Sequence, residues 1–214
     1  MPGASIVLLP IHPYLTFVHE GWHALVAVLT GGHVGAVHIF GANGGGVTQL
    51  AGGATLLIAS AGYVGSAITG AIFLALLPNP RALRLAISLQ YLWLVVVGVR
   101  WDHDLNSWLY LLVFGAALYG LATRLPERWF ALAMGFLALQ LALAVLGDLR
   151  TLLFLSAFTG AHSDAYLAAS VTGLPPLVWA FLWSAVAGVL LLLSLQSVLS
   201  FGGQVWPARW AARR

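Results

Sequence analysis

The chain contains no cysteine and no lysine, and it carries little charge of either sign. Without thiols, disulfides and thiolate metal sites are both excluded, and cysteine usage gives no clue to the redox compartment. Only 7% of the 214 residues are charged, while 61% are hydrophobic. Soluble domains are roughly a quarter charged and half apolar, so this composition excludes an ordinary water-soluble enzyme and belongs to a polytopic membrane protein. All nine basic residues are arginine, scattered through loops and the C-terminal tail. The basic balance therefore reflects membrane topology and not nucleic-acid binding. No hydrophilic block is long enough for a separate soluble domain, so residues 1–214 are read as one integral-membrane domain. The N-terminus has neither a basic n-region nor a small-residue cleavage site, and no removable signal peptide is expected.

What the chain does have is long apolar runs. The hydrocarbon core of a bilayer takes about 20 residues per helix. Six stretches qualify. The first begins at Ala4 or Pro13 and ends at Leu29, its start blurred by Pro10 and Pro13. The others are Ala54 to Leu77, Ala82 to Val99, Leu105 to Ala122, Arg128 to about Ala157, and Pro176 to Leu199. An interfacial tail, 200–214, follows with Trp206, Trp210, Arg213 and Arg214. The expected fold is an all-α polytopic membrane protein of about six transmembrane helices. With six spans, seven arginines fall on the side of the termini and only Arg100 and Arg150 on the other. That asymmetry places both termini in the cytoplasm. The second span, "ASAGYVGSAITGA", repeats small residues every four positions, a face that lets helix backbones approach closely.

Between the first two spans, residues 31–53 are rich in glycine. Val34, Val37, Ile39 and Phe40 precede a Gly-Asn-Gly cluster, and Val47 to Leu50 follow it, which predicts a short β-hairpin or re-entrant loop. Such backbone is tolerated at membrane depth only where protein buries it or it lines a cavity.

The greasy first span holds three ionisable groups within five positions: His19, Glu20 and His23, spelling H-E-x-x-H. Residues four apart share a helix face, so both imidazoles can reach one metal ion. Glu20 projects about 100° away, where it can serve a water without ligating the metal. Zinc lowers the pKa of such a water to about 7, and Glu20 is then the general base for attack on a carbonyl. Ionisable groups within a membrane are costly and generally face a partner or a cavity, which favours a metal over mere interhelical hydrogen bonds. Trp22 within the motif is read as packing or lipid contact.

Catalytic zinc takes three protein ligands and leaves one position open. The candidates for the third are Asp102, Asp104, Glu127, Asp148, Asp164 and the remaining histidines. Glu127 opens a helix, and "WDHD" at 101–104 reads as a solvated turn and helix cap. Asp148 is embedded in apolar sequence beside Gly147, on a span parallel to the first and at a similar depth. It is the favoured ligand, with Arg150 as an alternative partner. Asp164, in "GAHSDAYL", is the reserve and His162 a weaker one, both in a loop able to fold back over the site. His12, His33 and His38 are read as interface or loop histidines.

These residues resemble the site-2 protease group of intramembrane zinc metalloproteases, in a compact bacterial branch. "HEGWHALVAVLTGG" is similar to the metal-binding helix of that group, and the glycine-rich stretch after it to the hairpin bordering its active site. "SAGYVGSAITGA" and the segment from Gly147 to Trp183 extend the likeness over most of the chain. The resemblance implies Zn2+ as cofactor, a transmembrane protein as substrate, the lipid bilayer as solvent, and a multi-pass protein of the bacterial plasma membrane. It implies an aspartate ligand on a later helix, at the position of Asp148, here in "LGDLR" where the group carries an Asn-Pro-Asp-Gly or Leu-Asp-Gly sequence. A substrate helix hides its carbonyls, so the hairpin from Val34 to Leu50 is expected to offer a strand edge to an unwound substrate. Proline at Val37 or Ile39 is then expected to abolish cleavage and spare zinc. The competing class is a non-enzymatic metal-binding membrane protein, an inactive scaffold or transporter, for which Glu20 has no use.

Overall fold

The computed structural model describes residues 11–40, 45–102, 104–158 and 163–211; for Phe40, 145–158 and 201–211 it describes the backbone alone. The first helix, α1, is His12–Leu29. Pro13 sits in its first turn, where a missing N–H costs nothing. Its end is fixed by Thr30, whose hydroxyl donates to Val26 O at 2.7 Å, and by Gly31, which takes a φ of 78°. A two-stranded antiparallel sheet follows, β1 (His33–Phe40) and β2 (Gly45–Ala51), with an irregularity between Val34 and Ala36. This is the hairpin expected from the apolar residues on either side of the Gly-Asn-Gly cluster. Its base is pinned because Ala54 N donates back to Thr30 Oγ1 at 3.1 Å.

Six more helices complete the described chain: α2 (Thr55–Ala75), α3 (Pro80–Trp101), α4 (Leu105–Arg124), α5 (Glu127–Phe158), α6 (Asp164–Thr172) and α7 (Pro176–Ala211). Asn79 caps α3 through Ala82 N, and Asp104 caps α4 through Ser107 N, as the "WDHD" turn suggests. Glu127 lies in the first turn of α5, where a carboxylate complements the helix dipole. Among the described residues, five helices are long and apolar enough to cross a membrane: α2, α3, α4, the start of α5, and α7. The sixth long helix is α1, which buries Tyr14, Phe17, Val18, Ala24 and Ala27 almost completely against other elements. Protein surrounds much of α1, so its sequence can carry ionisable groups that a lipid-facing helix cannot.

The centre of the bundle is α2. Of its span 61% is buried, against 33% or less for the other four. It touches α1, α5, α6 and α7, and its small residues explain why. Gly65 receives the Trp22 indole, which donates to Thr69 Oγ1 at 3.0 Å, so Trp22 packs between helices. Gly70 meets the α5 backbone at Ala138 and Ala142. The short helix α6 packs the same way through Ala165 and Ala168, both fully buried with Ala59 of α2 and Ala180 of α7. Close approach through alanine and glycine is what brings the start of α6 beside α1.

Candidate metal centre

Helical spacing sets the first two donors. His19 and His23 lie one turn apart on α1, with their Nε2 atoms 3.1 Å from each other. Asp164, the first residue of α6, places Oδ2 at 3.2 Å from His19 Nε2 and 3.3 Å from His23 Nε2. Ser163 caps that helix by accepting from Tyr166 N, and Gly173 ends it at a φ of 73°. Asp164 is therefore held at a helix start, where the sequence suggested a loop. Ligand atoms 2.0–2.1 Å from a tetrahedral zinc are separated by about 3.3 Å. The three observed separations are close to that value, and each residue offers one ligand atom to the group.

The surroundings favour the same role. His23 Nδ1 donates to the Ile58 carbonyl at 2.7 Å. A carbonyl only accepts, so the proton is fixed on Nδ1 and the Nε2 lone pair is left for a metal. The His19 ring is held edge-on by Tyr63, centroids 4.7 Å apart, and Tyr63 stacks in turn on Trp183 of α7 at 5.1 Å. Trp183 is anchored through its indole N–H to Ser60 Oγ at 3.1 Å. Asp164 lies outside the spanning helices. Its Oδ2 atom faces both imidazole Nε2 atoms. An ionised carboxylate is the form that ligates.

Glu20 points to the other wall. Its side chain, 6% exposed, does not join the donor set; instead its Oε2 accepts a 2.5 Å hydrogen bond from Thr48 Oγ1 of β2. Gly46, two residues earlier on the same strand, lies flat against Thr16 and Glu20, where a Cβ would sit 2.6 Å from Thr16 Cγ2. A cavity of about 800 Å³ opens between these walls. It is bordered by His19, Glu20 and His23, by Gly46, Val47, Thr48 and Leu50 of β2, by Gln140 and Leu141 of α5, and by Asp164. Among the described residues, every hairpin residue in that border belongs to β2, whereas Val37 and Ile39 of β1 are buried in the core.

The structure thus brings together His19, His23 and the reserve candidate Asp164, with Glu20 beside them. Asp148 falls on the α5 backbone, its side chain outside the described residues, as is that of Arg150; His162 lies outside them altogether. His12 lines the cavity, His33 is exposed and His38 half-buried; among the described residues, none of them joins the donor cluster. Asp102 and Asp104 lie in the turn between α3 and α4, where Asp104 N donates to Asp102 Oδ1 at 2.9 Å; the cap is as expected, but Asp102 is buried and not solvated. The contribution of Thr48 was not foreseen, because nothing in an isolated strand marks a threonine that will face a carboxylate on the preceding helix. The α6 start had a legible signal: serine at the cap, then nine residues, then glycine and two prolines.

The model of a family described as Peptidase M50B-like matches residues 4–194 of the chain. No curated protein and no solved structure matches it.

Proposed function

Since the chain belongs to the M50B-like peptidases, in the site-2 protease family of intramembrane metalloproteases, we propose that it is a zinc metalloendopeptidase that cleaves membrane-embedded proteins. His19, His23 and Asp164 hold the zinc, and Glu20 is the general base. The observation that carries this reading is the convergence of three ligand atoms within 3.3 Å of one another, with a non-ligating glutamate on the same cavity. Neutral imidazole nitrogen and carboxylate oxygen suit zinc, and three protein ligands are the catalytic complement.

Zinc held there by His19, His23 and Asp164 would supply Lewis acidity toward a scissile carbonyl and would lower the pKa of water to about 7. Glu20 accepts the proton of the attacking water and passes it to the amide nitrogen of the departing strand. Thr48 holds the carboxylate in place by donating to Oε2. Leu15, Leu50, Ile58 and Leu141 give the cavity apolar walls suited to side chains drawn from a transmembrane segment. A substrate must be unwound before its carbonyls are accessible, and β2 is the strand that borders the cavity, so β2 is the edge assigned to pair with it. On this reading the protein works in the bacterial plasma membrane, on a transmembrane protein as substrate.

The test is zinc per polypeptide in detergent-purified protein, comparing wild type with Asp164→Ala and Asp148→Ala. The expected result is near-stoichiometric zinc in wild type and in Asp148→Ala, with a large loss in Asp164→Ala. Zinc lost only from Asp148→Ala would transfer the third ligand to α5. A wild type that stays empty after zinc is added back would sink the metalloprotease reading.

A further inference from the structure

Gly62 lies on the face of α2 that the metal centre rests against. A Cβ built on it meets three atoms first: His19 Nε2, His19 Cε1 at 2.5 Å, and His23 Nε2 at 2.5 Å. No backbone atom and no packing side chain is among them. The same construction at Gly70, two turns on, meets the backbone of α5 instead, with Ala138 O at 2.7 Å and Ala142 N at 3.0 Å. Both glycines belong to the small-residue face, yet they make room for different things: Gly70 for a neighbouring helix, Gly62 for two ligand nitrogens.

We propose that Gly62 is a positioning residue of the metal centre, its missing side chain providing the space in which the two Nε2 atoms converge with Asp164. This rests on the zinc reading above. Relief of a contact at 2.5 Å to ordinary van der Waals separation moves an imidazole by about 1 Å. Metal–ligand distances tolerate about 0.2 Å. Neither ring has an easy escape. Displacing His23 disturbs its 2.7 Å bond to the Ile58 carbonyl, and displacing His19 disturbs its edge-on contact with Tyr63. A methyl group at position 62 therefore acts on the ligands, whereas one at position 70 acts on helix packing.

The experiment uses the full chain in detergent, stripped with a chelator and titrated with zinc against a chromophoric competitor, alongside thermal unfolding of the zinc-free proteins. Gly62→Ala is expected to weaken zinc by about 10- to 100-fold. Gly70→Ala is expected to lower the unfolding temperature while keeping wild-type zinc affinity. Because Gly62→Ala also strains the apo fold through the rings, it is repeated in a His19→Ala, His23→Ala background, where its effect on unfolding should vanish. Zinc affinity within threefold of wild type in Gly62→Ala overturns the inference, as does an equal destabilisation with and without the imidazoles. Absence of zinc binding by wild type overturns the underlying reading of the site instead, and is told apart by the first titration.

Discussion

Thr48→Val removes one hydroxyl from the site and keeps the β-branched shape that suits a strand. In the native protein that hydroxyl donates to Glu20 Oε2 at 2.5 Å and lies 3.3 Å from the Glu20 carbonyl. A carboxylate cannot donate, so the threonine must, and the bond is charge-assisted. Hydrogen bonds to charged groups contribute about 1.5–3 kcal/mol. Glu20 is only 6% exposed, so water replaces the lost donor poorly. Each 1.36 kcal/mol is tenfold in rate, which converts that range to a fall in kcat of roughly 10- to 100-fold. The hydroxyl touches the base and not the peptide, so KM should change little. The assay is cleavage of a transmembrane peptide that wild type cuts, in proteoliposomes, with zinc content measured in parallel. Thr48→Ser should recover most of the rate, and zinc should be unchanged in both variants. A valine variant with wild-type kcat would refute the reasoning; so would a serine variant as slow as valine, which would assign Thr48 to packing.

Further outcomes can be checked on the same preparations. Glu20→Gln should retain zinc, because Glu20 lies outside the donor set, and should lose cleavage by about 100-fold or more; retained cleavage would remove Glu20 from the base role. Val47→Pro removes a backbone donor from the strand that borders the cavity, at a side chain 42% exposed, so cleavage should fail while zinc content holds. That position is a cleaner probe of strand pairing than Val37 or Ile39, whose buried side chains would be disturbed as well. Zinc at about 100 times its Kd should stabilise the apo protein by about 2.7 kcal/mol. For a chain of this size that is a rise of about 5–10 °C in unfolding temperature, absent in Asp164→Ala.

Much of the architecture was legible from local patterns. Apolar run length marked the long helices, because lipid-facing segments have no other way to satisfy their backbone. Apolar residues on either side of a glycine cluster marked the hairpin, and the i, i+4 spacing of His19 and His23 put both imidazoles on one face of α1 before any fold was known. The nine-residue helix α6 was missed although Ser163 and Gly173 bracket it, since short amphipathic signals vanish inside a chain that is apolar throughout.

The sequence alone determined the membrane class, the helix that carries the metal motif, and the identity of its two histidines and glutamate, because each depends on residues close together in the chain. Which carboxylate completes the donor set is a different kind of question. Asp148 and Asp164 were both compatible with the spacing. Asp164 is 145 positions from His19, yet 3.2 Å away, because buried alanines let α6 settle between α2 and α7. The tertiary fold also decided that β2 borders the cavity, that Thr48 holds Glu20, and that Gly62 faces the histidine nitrogens. These are contacts between elements brought together by packing, and no local pattern encodes them.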